Sequence, residues 1–288
     1  MKRTVFAVLA ALTAASLACN IGYRFDLPKV TTGPTETVTV KEAAPAAGVD
    51  VTGVNITMGA GTLNLQGGAE GLAEGEIRYN VAEWKPTVTR DSKSLSIVQG
   101  QDKNSITLPG QGSTIVNDWS LKLGSSPMAL TINAGAYKGT LALGGLALRS
   151  LTIHDGAGDS SVSFDTPNPE PMDTLTYETG ASRVSLQGLG NANAQTINFT
   201  GGAGDYELDF SGKLERDVTV EVQVGVSSLR LVAPVGTATV VNISGGLKDV
   251  KTTGTWAHTG DSYSQAGTGH TITINVDIGV GSLELAVK

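Results

Sequence analysis

A chain of 288 residues, 40% of them hydrophobic, can bury a substantial core, which excludes an intrinsically disordered protein. Its 37 glycines, together with only 5% aromatic and 16% charged residues, favour many short strands joined by tight turns. The formal net charge of -7 and the lack of any basic run argue against nucleic acid as a partner.

The N-terminus has the pattern of an export signal. Lys2 and Arg3 precede an apolar segment, residues 5–15, that is too short for an ordinary transmembrane span. Cys19, the only cysteine of the chain, directly follows Ser16-Leu17-Ala18, a segment with the small residues typical of a signal cleavage site. It resembles the lipidated cysteine of bacterial lipoproteins. We therefore predict a lipoprotein signal peptide over residues 1–18 and a diacylated Cys19 that attaches the protein to the membrane. The alternative is a signal cleaved by the ordinary peptidase, because Ser16 stands where lipoprotein signals usually have Leu.

Residues 19–48 are predicted to be the lipid anchor and a flexible stalk. Their mixture of Thr, Pro, Gly and Ala has no apolar period long enough to bury a face. No later segment is apolar enough to span a membrane. We therefore expect the rest of the chain outside the cytoplasm, lipid-anchored to the bacterial cell membrane.

A glycine-centred pattern recurs seven times after the stalk. Apolar residues lie five and three positions before each glycine and at even offsets after it: Leu151 and Ile153 precede Gly156, and Val162 and Phe164 follow it. Each side alternates with period two, as a half-buried strand does, but the two sides are out of phase. A bulge or corner at the glycine restores the phase, through positive φ or a close backbone approach. The predicted corner glycines are Gly59, Gly135, Gly156, Gly180, Gly202, Gly225 and Gly279.

The spacing of these glycines predicts how the strands are arranged. From Gly135 to Gly225 the intervals are 21, 24, 22 and 23 residues, which is typical of stacked coils. We predict an all-β, solenoid-like stack of short strands with about 22 residues per coil, each coil consisting of a strand, a glycine corner, a strand and a return of about ten residues. The alternative is an antiparallel β-sandwich. The predicted divisions are an N-terminal β region, residues 49–116, and a solenoid-like domain, residues 117–288.

Several glycine-centred motifs resemble a known family. They are GAGTLNLQGGAEGL with NVAEWKPTV, GLALRSLTIHDGAGDSSVSFDTPNPEPMDTL and TGASRVSLQGLGNANAQTINFTGGAGDYELDFSG, and they resemble the toast-rack family of bacterial envelope proteins. The part from GVSSLRLVAPVG to IGVGSLELAVK is similar to LiaF-type and adhesin-type β domains. The resemblance implies an extracytoplasmic β-rich stack without an established enzyme activity. The LiaF likeness also points to envelope-stress sensing through a membrane kinase.

Candidate metal ligands cluster in the sequence but lack a metal-binding pattern. The stretch GGAGDYELDF differs from the calcium motif G-G-x-G-x-D-x-U-x because its first Asp comes one position early. The repeat is also far longer than that of a calcium-binding β-roll, and the histidines show no ligand spacing. We therefore expect no metal site and no cofactor. The residues concerned are Asp155, Asp159, Asp165, Asp205, Asp209, His154, His258 and His270.

Other polar and aromatic residues suggest a carbohydrate-active enzyme only weakly. A row of Arg149, Arg183 and Arg230 on one face, with acids beside it, would suit a polysaccharide lyase, but outward arginines are usually solvated or paired. We expect no catalytic residue. Aromatic residues are expected to close an end of the stack or a domain junction, and N-x-S/T sequons to occupy outward strand positions. These residues are Trp84, Trp119, Trp256 and Tyr263, and Asn55, Asn198 and Asn242.

The sequence favours a non-enzymatic, lipid-anchored cell-surface protein whose β-rich stack presents a binding or structural surface, as an adhesin or envelope scaffold does. Its expected partners are the membrane, through the N-terminal lipid, and an unidentified protein or glycan. An envelope-stress regulatory ectodomain that contacts a membrane sensor is the main alternative. The second alternative is a carbohydrate-active enzyme.

Overall fold

The computed structural model describes residues 31–100, 115–246 and 250–288. All of them except Thr31 belong to one compact unit. The predicted signal peptide and Cys19 lie outside the described residues. Two 3₁₀ turns, Ala82–Trp84 and Leu189–Ala192, accompany the strands. The strands are β1 Glu36–Glu42, β2 Thr52–Gly67, β3 Ala73–Tyr79, β4 Thr87–Arg90, β5 Ser94–Val98, β6 Asn117–Leu123, β7 Met128–Ala142, β8 Leu148–Ser163, β9 Met172–Gln187, β10 Ala194–Asp209, β11 Val218–Ala233, β12 Ala238–Gly245, β13 Val250–Thr253, β14 Ala257–Thr259, β15 Ser262–Gln265 and β16 Thr271–Val287.

Seven long parallel strands form the body of the protein. In spatial order they are β2, β7, β8, β9, β10, β11 and β16, and each pairs with its neighbours in parallel. The prediction of an all-β, solenoid-like stack is confirmed. An antiparallel sandwich is excluded for this part of the chain, because hairpins would place antiparallel strands side by side. The returns from β7 to β11 cover residues 143–147, 164–171, 188–193 and 210–217, so they are shorter than the predicted ten residues.

Each long strand bends at its corner glycine. In β10 the rings of Phe199 and Tyr206, on either side of Gly202, meet edge to face with centroids 5.0 Å apart. In a straight strand two residues seven positions apart would be separated by roughly 23 Å. We call the part of a strand before the corner glycine its first arm and the part after it its second arm. The inner faces of the two arms enclose the core between them.

The corner glycines stack in a column that only glycine can form. The pairing register passes from Gly201↔Thr179 to Ala203↔Ala181, which places Gly202 beside Gly180. A Cβ atom on Gly202 would lie 2.4 Å from the carbonyl oxygen of Gly180, well inside van der Waals contact. For the glycines from Gly135 to Gly279 the corresponding distances run from 2.3 to 2.8 Å. The close approach of one strand's backbone to the next therefore requires glycine at these corners.

Positive φ, the other reason considered for the corner glycines, does not apply. All seven lie within the described residues, and none of them has a positive φ. The chain changes phase instead by exposing two consecutive residues, such as Gly180 and Ala181, between the buried Thr179 and Ser182. The requirement at the corner is for space and not for a left-handed backbone.

Shorter strands cover both ends of the seven-strand stack. At the N-terminal end β5 pairs with the first arm of β2 and β6 with its second arm. At the C-terminal end β12 and β13 pair in the same way with the two arms of β16. Because β2 pairs with β6 and β7, strands from both predicted divisions, residues 49–116 and 117–288, share one sheet. The predicted boundary between them remains a sequence-based division.

Part of the predicted stalk is a strand. Glu36–Glu42 forms β1, which pairs antiparallel with β3, and Val40 is buried. The hydroxyl of Tyr79 donates a hydrogen bond to Glu36 at 2.6 Å, and this bond, together with burial and the negative charge of Glu36, raises the pKa of Tyr79 to about 12. The alternation of Val38 and Val40 with threonines is the strand signal that the Thr- and Pro-rich composition conceals. The stalk prediction is thus corrected for residues 36–42.

No helix in residues 31–100, 115–246 or 250–288 is both long and apolar enough to cross a membrane.

Replacing a corner glycine should destabilise the fold. We expect Gly202→Val to lower the free energy of unfolding by about 1 to 3 kcal/mol, because its Cβ would collide with the Gly180 carbonyl oxygen. Urea denaturation followed by circular dichroism measures the change. Ala203→Val is the matched control, since the equivalent positions in β11 and β16 already hold the exposed Val226 and Val280. Equal loss of stability in both variants would contradict the assignment of the column.

Candidate functional site

The five candidate calcium ligands point in different directions. Asp155 is buried in the core, whereas Asp159 and Asp205 lie on the outer face of the second arms. Arg183 sits between Asp159 and Asp205 in the pairing register, and its guanidinium is 3.6 Å from the Asp205 carboxylate. Asp165 lies in a return segment, and Asp209 accepts a hydrogen bond from the backbone of Ser211. The fold therefore does not bring these five carboxylates together.

Asp155 is the centre of a buried polar cluster at the inner side of the corner. Its carboxylate accepts hydrogen bonds from the hydroxyls of Tyr177, at 2.5 Å, of Ser182, at 3.1 Å, and of Thr179. These three donors satisfy a charge that would otherwise be costly to bury. The sequence carries the signal for this orientation, because Asp155 is in phase with the buried Leu151 and Ile153. The cluster stabilises the interior, and Asp155 is buried within it.

Three tyrosines extend the cluster along the stack. Tyr137 and Ser160 are joined through their hydroxyls at 2.7 Å, and Tyr206 is buried with a hydroxyl that has no partner among the described residues. Burial raises the pKa of Tyr137, Tyr177 and Tyr206 above the ordinary tyrosine value, and the nearby Asp155 carboxylate raises each further. All three side chains therefore remain neutral hydrogen-bonding groups well into the alkaline range.

The outer face of the second arms carries rows of alternating charge. Lys138, Asp159, Arg183 and Asp205 are successive neighbours across β7 to β10. In this register each residue faces the equivalent residue of the adjacent strand. Like charges at equivalent positions would repel, so alternating charges favour the observed pairing. A second such row consists of Glu207, Arg230, Glu284 and Lys251. In this row the Arg230 guanidinium lies 3.5 Å from the Glu207 carboxylate and 3.0 Å from the Glu284 carboxylate.

The three arginines suggested for a lyase do not form a row. Arg149 lies seven positions before its corner glycine, Arg183 three after and Arg230 five after. Each has a carboxylate partner; that of Arg149 is Glu170, at 3.0 Å. The histidines are equally dispersed: His154 contacts Glu178, His270 contacts Asp217 and His258 stacks on Tyr263.

The outer face of the first arms has a different chemistry, which the sequence analysis overlooked. Its centre is an uncharged array in which Thr176 lies between Thr152 and Asn198, and Thr174 between Ser150 and Thr196. The members are half-buried or exposed. In the sequence, the signal is a pair of polar residues that lie six and four positions before each corner glycine of β8 to β11. We call this surface the threonine face: Ser150, Thr152, Thr174, Thr176, Thr196, Asn198 and Thr219.

At both edges of the outer first-arm face, the side chains form hydrogen bonds with one another. Asn133 donates to Asn55 at 3.3 Å on the N-terminal side. On the C-terminal side Asn275 donates to Glu221 at 2.7 Å and accepts from Asn242 at 3.0 Å. The three sequons lie in this same column of outward strand positions, four residues before the corner. The threonine face lies between these two bonded margins.

The candidate aromatic residues are divided between the two ends of the stack. Trp119, on β6, is fully buried near the N-terminal end, and its indole N–H donates to Asn117 at 2.9 Å. Trp84 lies in the first 3₁₀ turn, while Trp256 and Tyr263 pack partly buried against the core near the C-terminal end. None of the four lies on the threonine face.

Calcium should leave the stability of the protein unchanged. The carboxylates of Asp159 and Asp205 are separated by Arg183, so millimolar Ca²⁺ has no cage of oxygen ligands around the corner. We expect the same melting temperature with Ca²⁺ and with a chelator, measured by differential scanning fluorimetry. A rise in melting temperature that Asp205→Asn abolishes would contradict this expectation.

Alkaline pH should destabilise the protein through the buried tyrosines. Above about pH 10 the unfolded chain loses tyrosine protons that the folded chain keeps, so the free energy of unfolding falls as pH rises. Tyr177→Phe removes one such group and should make this fall shallower, although it also removes a hydrogen bond to Asp155. Urea midpoints at pH 8 and pH 11 measure the slope, with Tyr263→Phe as the control. Equal slopes for the wild type and Tyr177→Phe would contradict the assignment.

Comparison with solved structures finds several distant likenesses. A candidate cell adhesion protein from Clostridium sporogenes is 20% identical, with 88% of this chain and 99% of that chain covered and a TM-score of 0.48. A candidate adhesin from Bacteroides fragilis is 12% identical, with 90% and 99% covered and a TM-score of 0.34. A candidate lipid-binding protein from Parabacteroides distasonis is 9% identical, with 89% and 99% covered and a TM-score of 0.35.

No curated protein matches the chain. A family model does: the N-terminal domain of toast_rack, DUF2154, matches residues 31–174, which is half of the chain. This range includes β2, β7 and β8, three of the long strands that bend at corner glycines. The protein therefore belongs to the toast-rack family.

Proposed function

We propose that this protein is a non-enzymatic, lipid-anchored cell-surface protein that acts outside the cytoplasm. Its β stack presents a binding or scaffolding surface to the cell envelope or to a neighbouring cell. Cys19 is the attachment point, and residues 20–35 connect the lipid to the edge strand β1.

The rigid outer surface of the stack is the observation that carries this proposal. Seven long strands are held in register by parallel pairing along both arms, so outward side chains occupy fixed positions over a wide area. Such a surface suits recognition by many weak contacts at once. The arginines considered for catalysis each contact a carboxylate, and the buried Asp155 carboxylate already accepts hydrogen bonds from three hydroxyls.

The anchor hypothesis rests on the sequence around Cys19. A diacylglycerol group with an additional N-terminal acyl chain provides two or three chains, and each buried CH₂ contributes about 0.8 kcal/mol. Anchoring by several chains is effectively stable, whereas one chain alone is marginal.

Replacing Cys19 should release the protein from the membrane. We expect Cys19→Ala to move it from the membrane fraction to the medium or periplasm and to leave the melting temperature of the β stack unchanged. Labelling of cells with an alkyne fatty acid, followed by click chemistry and gel analysis, measures the lipid directly. Asn20→Ala is the matched control and should keep the label. An unlabelled wild type, or equal label on Cys19→Ala, would refute lipid anchoring.

A further inference from the structure

We propose that the threonine face is the binding surface and that its ligand is a neutral, hydroxyl-rich glycan chain lying along the stack. This inference rests on the proposed surface role and specifies its partner. It concerns the seven side chains on the first arms of β8 to β11.

The threonine face is a regular two-dimensional array. Neighbouring parallel strands lie about 4.8 Å apart, and outward residues two positions apart on one strand are separated by about 6.6 Å. The register places Thr152, Thr176 and Asn198 in one row and Ser150, Thr174 and Thr196 in the next, with Thr219 continuing the second row. An extended polymer with repeating polar groups can contact such an array over several strands.

The charge distribution favours a neutral ligand. All seven side chains of the threonine face are uncharged. Beside it, Arg149 contacts Glu170 and His154 contacts Glu178, each at 3.0 Å, and Glu221, next to Asn198, accepts a hydrogen bond from Asn275. The outer face of the second arms, in contrast, carries full charges in alternating rows. An acidic polysaccharide or a charged peptide would find its electrostatic partners on the second arms and not here.

Unused hydrogen-bonding capacity favours a ligand rich in hydroxyls. None of the seven side chains makes a hydrogen bond to a side chain within the described residues, unlike the asparagines at the two margins. A threonine hydroxyl donates one hydrogen bond and accepts two, and an asparagine amide does both. A glycan hydroxyl has the same dual character, so it can match either function at each position.

The composition of the threonine face disfavours a protein partner. Binding hot spots between proteins are enriched in Trp, Tyr and Arg, with Ser and Thr under-represented. Among the described residues the large hydrophobic side chains that are strongly exposed are Val226, Val235 and Val280, and none of them belongs to this surface. A glycan held by many hydrogen bonds needs no such anchor when several contacts act together.

Retention on neutral polysaccharides tests the proposal. The full-length protein would be applied to cellulose, chitin and immobilised dextran, with alginate as the acidic comparison. We expect saturable retention on at least one neutral polysaccharide at physiological salt and none on alginate. The variant Thr174→Val/Thr176→Val/Thr196→Val keeps side-chain shape but removes three hydroxyls and should lower the affinity at least about tenfold. Thr140→Val, on the outer face of a second arm, is the matched control and should bind normally.

Three results would overturn the inference: no retention on any of the neutral polysaccharides, equal affinity of the triple variant and the wild type, or stronger retention on alginate that salt abolishes. Circular dichroism and melting temperature verify that the triple variant is folded. The fatty-acid label on Cys19 is measured in the same cells. A labelled protein that fails to bind glycans would refute this ligand and leave the anchored surface role intact, whereas an unlabelled protein would refute the anchor independently.

Discussion

The close contact between backbones at the corners governs the rest of the structure. Each corner glycine lies against the carbonyl oxygen of the corner glycine on the preceding long strand. There is no room for a Cβ atom between Gly180 and Gly202 or at the equivalent pairs. This contact lets both arms of every strand keep their parallel pairing through the bend. The bend in turn brings Phe199 and Tyr206 of one strand face to edge and closes the core. Without it, the apolar sides of the two arms would face in opposite directions.

The fixed register explains why the three surfaces of the stack differ in chemistry. Every residue at a given distance from its corner glycine faces its equivalent on the next strand, so each column repeats along the stack. Inside the corner, the column containing Asp155 is bonded to hydroxyls from the next strand. On the second arms the columns alternate in charge, which avoids repulsion between adjacent strands. On the first arms, the two columns that form the threonine face are uncharged from β8 to β10, and their side chains lie on the outer face.

This division of chemistry bears on function. Charge pairs on the second arms join neighbouring strands, and the Asp155 cluster occupies the interior; both therefore serve the stack itself. Within the part of the chain that the structure describes, the threonine face has no comparable bonding to other side chains, although it lies on the same sheet. A surface whose hydrogen-bonding groups are held in place but left unused is suited to recognition, because little conformational entropy is lost when a ligand binds.

The sequence by itself determined the local features: the period-two strands, the phase change at each corner glycine and the stacked arrangement, since all three follow from patterns within about 22 residues. Only the tertiary structure decided the features that depend on register between coils. It showed that the corner glycines lie beside one another, and this places Arg183 between Asp159 and Asp205 and aligns Thr152, Thr176 and Asn198. Members of one row lie at the same distance from their corner glycines, but this spacing becomes a register only when the glycines themselves are aligned. The tertiary structure also made residues 36–42 a strand, since β1 gains its hydrogen bonds from β3, more than thirty residues away. The reason for glycine at the corners was likewise tertiary, because the atom that excludes a side chain belongs to another coil.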